Sequence, residues 1–229
     1  MFDLDPVTVA VSAAGLAVLF VFGVLDTPKM AVRFGGGFWG KIKIKLLSGG
    51  VFGLASLAVL VLAAVPISQI GVGLARPTAA VAWVLGILLF TVPVVAFSAS
   101  RPGAWETSPE LRAPRYGAAE WAALVGTWVV YLLFYELFFR GVLTFQLVGG
   151  LGVERGLAVM TALYVLAHLT KPPSEALATI LAGPLYGWVA LQTGGFWPVW
   201  VLHIGMSMTS EISSIRANPA IETGTVSSD

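Results

Sequence analysis

The sequence of 229 residues contains no cysteine and only two histidines, and charged residues make up 11% of it. The missing cysteines exclude disulfide bonds, thiolate nucleophiles and cysteine-ligated metal sites. Soluble domains carry about 25% charged residues, so the small charged fraction excludes an ordinary soluble protein. A net charge of +1 gives no reason to expect a nucleic acid as a partner.

Apolar residues, in contrast, make up 57% of the chain, in runs that approach the ~20 residues a helix needs to cross a bilayer. We predict an all-α fold, a polytopic transmembrane helical bundle. Residues 1–215 are expected to form a single membrane domain, and residues 216–229 a polar C-terminal tail. About seven spans are predicted, at 7–25, 47–66, 79–98, 118–147, 156–169, 175–192 and 196–211.

Basic residues are distributed unevenly among the predicted loops. If the spans alternate in direction, ten of the 13 lysines and arginines fall on one side, two fall on the other, and Arg140 lies within a span. Because cytoplasmic loops are rich in lysine and arginine, we predict that the N-terminus lies outside and the C-terminus in the cytoplasm. The segment FWGKIKIKLL, at 38–47 in the first predicted loop, either rests on anionic lipid headgroups or only enforces this topology.

Four ionisable residues fall inside the predicted spans. Glu136 and Arg140 lie in YLLFYELFFRGVL, His168 ends TALYVLAH, and His203 lies in WPVWVLHIGMS. Ionisable groups are costly within a membrane and usually face the interior of the bundle, where they pair or line a cavity. The functional site is therefore expected among these side chains. For the glutamate and arginine alone, a purely structural role in helix packing is the competing interpretation.

Helix geometry allows these residues to converge. Glu136 and Arg140 are four residues apart and share one helix face. At ~1.5 Å per residue, Glu136 lies about 16 Å from the end of its span at residue 147, and His168 about 18 Å from residue 156. The short loop VGGLGVER makes these spans an antiparallel hairpin, so the two residues are predicted at similar depth. His203 shares a helix face with Ser207 by the same spacing of four.

The segments YELFFRG, YVLAH and HIGMS, in this order, resemble the three motifs of the CPBP family, also called the Abi family. This family includes CAAX prenyl endopeptidases and proteins of bacteriocin processing or immunity. Its pattern is Glu-Glu-x-x-x-Arg, then an aromatic residue with His four residues later, then His-x-x-x-Asn or Asp. LYGWVALQTGGFWPVWVLHIG also resembles the stretch that precedes the last motif. The resemblance covers about residues 118–210.

The resemblance implies a cavity within the membrane where a glutamate and a histidine activate a water that attacks a peptide bond. It also implies that the last-motif histidine, with Asn or Asp, stabilises the oxyanion. Matched motif by motif, the second glutamate is Glu136, the arginine is Arg140, and the two histidines are His168 and His203. The family further suggests a prokaryotic plasma (inner) membrane protein.

Two positions depart from the family pattern. Tyr135 replaces the first glutamate, which is usually assigned as the general base, and Ser207 replaces the last-motif Asn or Asp. A tyrosine, whose ordinary pKa is about 10, does not readily act as a base at neutral pH. Ser207 still offers one hydrogen-bond donor. The catalytic candidates are therefore Tyr135, Glu136, Arg140, His168, His203 and Ser207.

Several functions stay open at this point. The first is an active intramembrane endopeptidase, with Glu136 recruited as the base and His168 holding the water. The second is an inactive pseudoprotease that binds a peptide, a lipid or a pigment, or serves as an accessory subunit of a membrane complex. The third is a transporter-like protein, which would contain an inverted repeat and discontinuous helices. Membrane lipids are expected partners in every case, no metal is assigned because no His-Glu-x-x-His helix occurs, and the cofactor is unknown.

Overall fold

A computed structural model describes residues 6–25, 28–169 and 171–223. The chain is almost entirely helical, which confirms the all-α prediction. Two short 3₁₀ turns occur at Ile67–Gln69 and Pro102–Ala104, and two-residue strands β1 and β2 at Arg115–Tyr116 and Glu222–Thr223. The α-helices are α1 Pro6–Leu25, α2 Pro28–Arg33, α3 Gly37–Leu62, α4 Pro77–Ala99, α5 Ala118–Glu136, α6 Thr144–Leu151, α7 Val153–Leu166, α8 Pro173–Thr193 and α9 Trp197–Ala217.

Within the described residues, four helical segments are long and apolar enough to cross a membrane. They are Gly37–Leu62, Pro77–Ala99, Ala118–Leu151 and Glu175–Thr193, and Pro6–Val21 is a shorter apolar helix. The predicted span at 156–169 corresponds to α7, whose 14 residues extend about 21 Å, less than the ~30 Å hydrocarbon core. The helices establish an integral membrane protein, while seven spans and the orientation of the termini stay predictions.

The prediction that residues 38–47 belong to a loop is wrong, because α3 begins at Gly37, ten residues before the predicted span. Phe38, Ile42 and Lys45 form a buried stripe at helical spacing. The alternation of apolar and basic residues concealed this stripe. Lys45 is only 8% exposed and lies in the protein interior, whereas Lys41 lies on the exposed face of the same helix.

The helix that carries the first motif is interrupted by a π-helical segment, Leu137–Leu143, between α5 and α6. Thr144 marks this wider turn, since its hydroxyl donates to the carbonyl of Phe139, five residues earlier, at 2.9 Å. The amide of Gly71, in the loop between α3 and α4, donates to the Gly141 carbonyl at 2.9 Å. A single uninterrupted span was predicted here, and π-helical segments inside α-helices often occur at functional sites.

The loop around Gly71 also holds the start of α9. The amide of Phe196 donates to the Gly71 carbonyl at 2.8 Å, and the Trp197 indole donates to the Val72 carbonyl at 2.8 Å. Val72 and Gly195 form an isolated antiparallel bridge. These contacts fix α9 beside the π-helical segment at the end of the bundle opposite most of the basic residues.

At the basic end, β1 pairs in parallel with β2, with Arg115 opposite Glu222. The segment predicted as a polar tail therefore begins inside α9 and continues into this strand pair. Residues 224–229 of that tail, and residues 1–5 of the predicted membrane domain, lie outside the described part of the chain. The strand pair ties the residues after α9 to those before α5.

Candidate active site

Glu136 and Arg140 form an ion pair in the centre of the bundle. Nη1 of Arg140 lies 3.1 Å from Oε2 of Glu136, and neither side chain is exposed. Glu136 is the last residue of α5, and Arg140 lies one turn later in the π-helical segment. The structure thus confirms that the two side chains share a face and pair. Water does not screen this pair, so each charge depends on the other for stability.

His203 of α9 contacts the same carboxylate. Its Nδ1 atom lies 2.5 Å from Oε1 of Glu136. An ionised carboxylate only accepts hydrogen bonds, so we assign the proton of a neutral His203 to Nδ1, which leaves a lone pair on Nε2. The His203 side chain is 18% exposed, whereas Glu136 is fully buried. The imidazole therefore stands between the buried carboxylate and the more open side of the site.

His168 follows α7 and is oriented by the aromatic residue of its own motif. Its Nδ1 atom lies 2.9 Å from the backbone carbonyl of Tyr164, and the two rings meet edge to face with centroids 4.6 Å apart. A carbonyl oxygen is only an acceptor, so Nδ1 of His168 is the donor and Nε2 again keeps a lone pair. Both histidines thus present the same ring nitrogen for hydrogen bonding.

Tyr135 lies between the two histidines. Its ring centroid is 6.3 Å from that of His168 and 5.8 Å from that of His203, both in edge-to-face geometry. Phe52 and Phe139 pack on the same ring at 4.9 and 4.7 Å. The Tyr135 hydroxyl is buried and has no hydrogen-bond partner within the described residues. A buried hydroxyl without a partner is uncommon and marks a position where a ligand or water can bind.

The guanidinium of Arg140 is also held by aromatic rings, which the sequence analysis missed. Its Cζ atom lies 3.9 Å from the ring centroid of Tyr164 and 5.4 Å from that of Tyr186. Such cation–π contacts contribute about 2 kcal/mol when desolvated. Tyr164 was not among the predicted site residues, although the motif that places an aromatic residue four positions before His168 could have pointed to it, and nothing in the sequence indicated that its ring covers Arg140.

Ser207 follows His203 by one turn of α9 and is half-buried. The six predicted site residues therefore lie on three elements: the α5 and π-helical junction, the end of α7, and α9. The structure brings Glu136 into contact with His203, and it packs the ring of Tyr135 against both imidazoles. Across the described ranges, no group of three His, Asp or Glu side chains has a geometry suited to holding a metal ion.

A second group of charged residues lies at the basic end of the bundle and was not predicted. Oε1 of Glu110 lies 2.5 Å from Nζ of Lys45 and 3.0 Å from Nζ of Lys171. Burial opposes ionisation of Glu110, but the charges of Lys171 and Lys45 outweigh burial and hold its pKa well below the ordinary value. The amide of Lys171 donates to the His168 carbonyl at 3.0 Å, which connects this group to the catalytic candidates.

Residues 117–209 match a family model described as type II CAAX prenyl endopeptidase Rce1-like. The resemblance to the CPBP family is confirmed. The Rce1-like segment extends from α5 into α9 and contains all six predicted site residues, whereas α1 to α4 lie outside it. No curated protein and no solved structure matched the chain. The match supports a CAAX-type intramembrane protease, and the individual roles of the residues in the Rce1-like segment are matters of proposal.

Proposed function

We propose that this protein is an intramembrane endopeptidase in which Glu136 and His203 act together to activate a water molecule. The contact between Nδ1 of His203 and Oε1 of Glu136, at 2.5 Å within an Rce1-like segment, is the observation that carries the proposal. A carboxylate that accepts a hydrogen bond from one imidazole nitrogen orients the ring and stabilises the imidazolium that forms when the other nitrogen takes up a proton.

Glu136 serves this proposal better as a partner of His203 than as the direct base expected from the sequence. Its Oε1 atom accepts from His203 and its Oε2 atom pairs with Arg140, and the side chain has no exposure. A base must reach the proton that it abstracts. Nε2 of His203 meets this requirement better, because His203 is partly exposed and its Nδ1 atom is already occupied. Arg140 holds the other carboxylate oxygen of Glu136 in place.

The reaction follows from the two free nitrogens. A water held by the lone pairs of His168 and His203 attacks the carbonyl carbon of the scissile peptide bond. Nε2 of His203 takes one proton from the water, and Glu136 stabilises the resulting imidazolium. The carbon–oxygen bond forms as the carbonyl oxygen becomes an oxyanion. The carbon–nitrogen bond then breaks, and the imidazolium returns its proton to the leaving amine.

Donors for the oxyanion are the hydroxyls of Tyr135 and Ser207. The Tyr135 hydroxyl is buried and has no hydrogen-bond partner among the described residues, and the Tyr135 ring packs against both imidazoles. Ser207 lies one turn from His203. A donor already oriented towards the developing charge lowers the barrier without reorganisation, which makes oxyanion stabilisation a large part of peptide hydrolysis. In this proposal Tyr135 keeps a catalytic function, as a donor, even though it is not a base.

The test is a comparison of peptide termini in membranes from strains that express the wild type, no protein, His203→Gln, or Glu136→Gln with His168→Ala. New termini that occur only with the wild type and with the control Glu154→Gln, at the exposed start of α7, would support the endopeptidase. Equal termini in all strains, with equal amounts of folded protein, would contradict it. The substrate would be identified by the same spectra.

A second function is favoured by one observation, the tyrosine at the position of the first family glutamate. In this alternative the polar side chains around Glu136 have only a structural role, and the protein binds a peptide or joins a membrane complex without hydrolysing a peptide bond. Tyr135→Glu distinguishes the two functions: peptide cleavage that appears only in this variant would favour an inactive natural protein.

Under either function we propose a prokaryotic plasma membrane location with lipids as neighbours and no nucleic acid partner. The transporter alternative stays a prediction.

A further inference from the structure

The charged group at the basic end joins three separate parts of the bundle through one loop residue. Glu110 pairs with Lys45 of α3 at 2.5 Å and with Lys171, just before α8, at 3.0 Å. Its backbone amide donates to Oε1 of Glu211 in α9 at 2.7 Å, and the amide of Leu111 donates to Oε2 of the same carboxylate at 3.4 Å. The mechanism proposed above uses none of these residues.

The loop that contains Glu110 is internally braced. We call residues 105–116 the cap. The Arg112 guanidinium donates to the Trp105 carbonyl, and the Tyr116 hydroxyl donates to the Leu111 carbonyl. Leu111 and Tyr116 are both buried. The cap carries its own hydrogen bonds, whereas its buried residues join the main apolar core, where the ring of Tyr116 lies 5.9 Å from that of Phe38 in α3. The cap can therefore pivot about its α3 side without unfolding.

The cap lies at one end of the candidate active site. Glu211 follows His203 and Ser207 at intervals of four residues, so all three share one face of α9. At ~1.5 Å per residue, Glu211 lies about 12 Å from His203 along the helix. On the opposite side, the amide of Lys171 donates to the His168 carbonyl at 3.0 Å. The cap thus spans from the α9 side of the site to the α7 side.

The two ion pairs of Glu110 differ in their access to water. Nζ of Lys45 lies 3.9 Å from the ring centroid of Trp128 and 4.7 Å from that of Tyr131, and its side chain is only 8% exposed. Lys171 and Glu110 are 17% and 22% exposed. The contact with Lys171 is longer and more open to water than the contact with Lys45, so water can compete for it more effectively. The contact with Lys45 therefore anchors the cap to α3, whereas the contact with Lys171, which follows α7, can break.

We propose that the cap is a lid over the active site, and that separation of Glu110 from Lys171 opens the site to the substrate. The nature of the substrate, a peptide, rests on the proposed function. The opening itself does not, because it concerns only the access of water-borne molecules to Ser207 and the histidines. The lid would also limit the entry of bulk water while a peptide is bound.

The absence of cysteine permits a direct test with a single reporter in the full chain. Ser207→Cys is labelled with a water-soluble maleimide in detergent micelles, alone and together with Glu110→Gln, Lys171→Gln or the matched control Glu154→Gln. A second reporter, Ser68→Cys, lies exposed at the other end of the bundle and measures any general loosening. All labelling is done well below the melting temperature of each variant, which is recorded first.

We expect Glu110→Gln and Lys171→Gln to speed labelling at position 207 about fivefold, the factor that corresponds to about 1 kcal/mol. Labelling at position 68, and at position 207 with Glu154→Gln, should stay unchanged. Unchanged labelling at 207 in both cap variants would overturn the lid, as would an equal rise at 68. If Glu110→Gln does not fold, Lys171→Gln decides, since it keeps the pair between Glu110 and Lys45. The rate of maleimide labelling does not depend on peptide cleavage, so the lid can be tested even if the protein is catalytically inactive.

Discussion

The ring of Tyr135 meets the imidazole of His203 edge to face, with centroids 5.8 Å apart and planes inclined at 79°. The same tyrosine has a buried hydroxyl without a partner in the described structure. A residue that only filled space here would need no hydroxyl. The arrangement therefore connects the most unusual position of the sequence with the part of the site where a reacting group would lie.

Tyr135→Phe tests whether the hydroxyl acts in catalysis. Because the hydroxyl forms no hydrogen bond within the described residues, its removal should leave the melting temperature almost unchanged. If it donates to the oxyanion, cleavage of a substrate found in membranes should fall by about 100-fold. The two readouts are thermal unfolding in detergent and cleavage rate. Unchanged cleavage with unchanged stability would remove Tyr135 from the mechanism.

The buried pair of Glu136 and Arg140 predicts an asymmetry between single and double substitutions. Glu136→Ala leaves a guanidinium buried without its counter-ion and should lower the free energy of unfolding by about 3–5 kcal/mol. Replacing both residues by leucine removes both charges and should cost less. Thermal unfolding of the two variants and of Glu154→Ala, an exposed control, measures the difference. An equal loss of unfolding free energy in the single and double variants would show that Arg140 does not need the charge of Glu136 to be tolerated in the interior.

Acid should weaken the contribution of Glu110 to stability. Its pKa is lowered because the charges of Lys171 and Lys45 outweigh burial. A carboxyl group whose pKa is lower in the folded state stabilises that state above its unfolded pKa, and the contribution is lost as the pH falls through the folded pKa. In a Glu211→Gln background, the difference in melting temperature between the protein with Glu110 and the protein with Glu110→Gln should therefore be constant near neutral pH and shrink below about 4.5.

Glu211 lies beside Glu110, so replacing Glu110 also changes the titration of Glu211, and the comparison is therefore made in a Glu211→Gln background, which removes this second titration. Glu154→Gln, at an exposed position, provides the matched control and should show no such pH dependence. A difference that grows on acidification would contradict the assigned ion pairs, because it would require Glu110 to be more stable as the neutral acid in the folded protein.

Gly195→Ala should be strongly destabilising. A Cβ atom at this position would lie 1.8 Å from the backbone oxygen of Gly73, which no side-chain rotation can relieve. Overpacking of this kind costs about 1–3 kcal/mol. Gly86→Ala in α4, where nothing lies within 4 Å, is the control and should not lower the melting temperature. Equal melting temperatures would mean that the bridge between Val72 and Gly195 does not fix the start of α9.

The predicted orientation can be measured with single cysteines in intact cells. Ser68→Cys lies on the predicted outer side and Glu106→Cys on the predicted cytoplasmic side, and both positions are exposed. The positive-inside distribution predicts that a membrane-impermeant maleimide labels position 68 in intact cells and labels position 106 only after lysis. Labelling of both positions in intact cells would show that the two loops lie on the same side and that the span count is wrong.

The helices and the site-bearing segments could be predicted because apolar length and motif spacing are local properties of the sequence. Glu136 and Arg140 share a face by their separation alone, and the hairpin of α6 and α7 brings His168 to the depth of Glu136. Local patterns do not specify partners across the bundle. Lys45 rather than Lys41 is buried because Lys45 pairs with Glu110. Glu110 lies 65 residues later in the sequence, after α4 and two 3₁₀ turns.

Two further features were hidden for a physical reason. The π-helical segment depends on the wide turn between Phe139 and Thr144 and on a hydrogen bond from Gly71 to Gly141, neither of which changes hydrophobic periodicity. Glu211 had been placed at the end of a predicted span, where an ionised carboxylate is unremarkable. Its binding of two loop amides, at Glu110 and Leu111, arises only when the loop folds back over α9.

The π-helical segment fixes an angular offset within one continuous helix of 34 residues. Each residue of an α-helix turns the chain by about 100°, so a turn that accommodates one additional residue rotates everything beyond it relative to everything before it. Glu136 on the near side faces α9, and α6 on the far side begins the hairpin that carries His168. Deleting one residue of 141–143 would therefore keep every side chain of the site and the spacing of Glu136 and Arg140, and it would turn the hairpin that carries His168 away from Glu136.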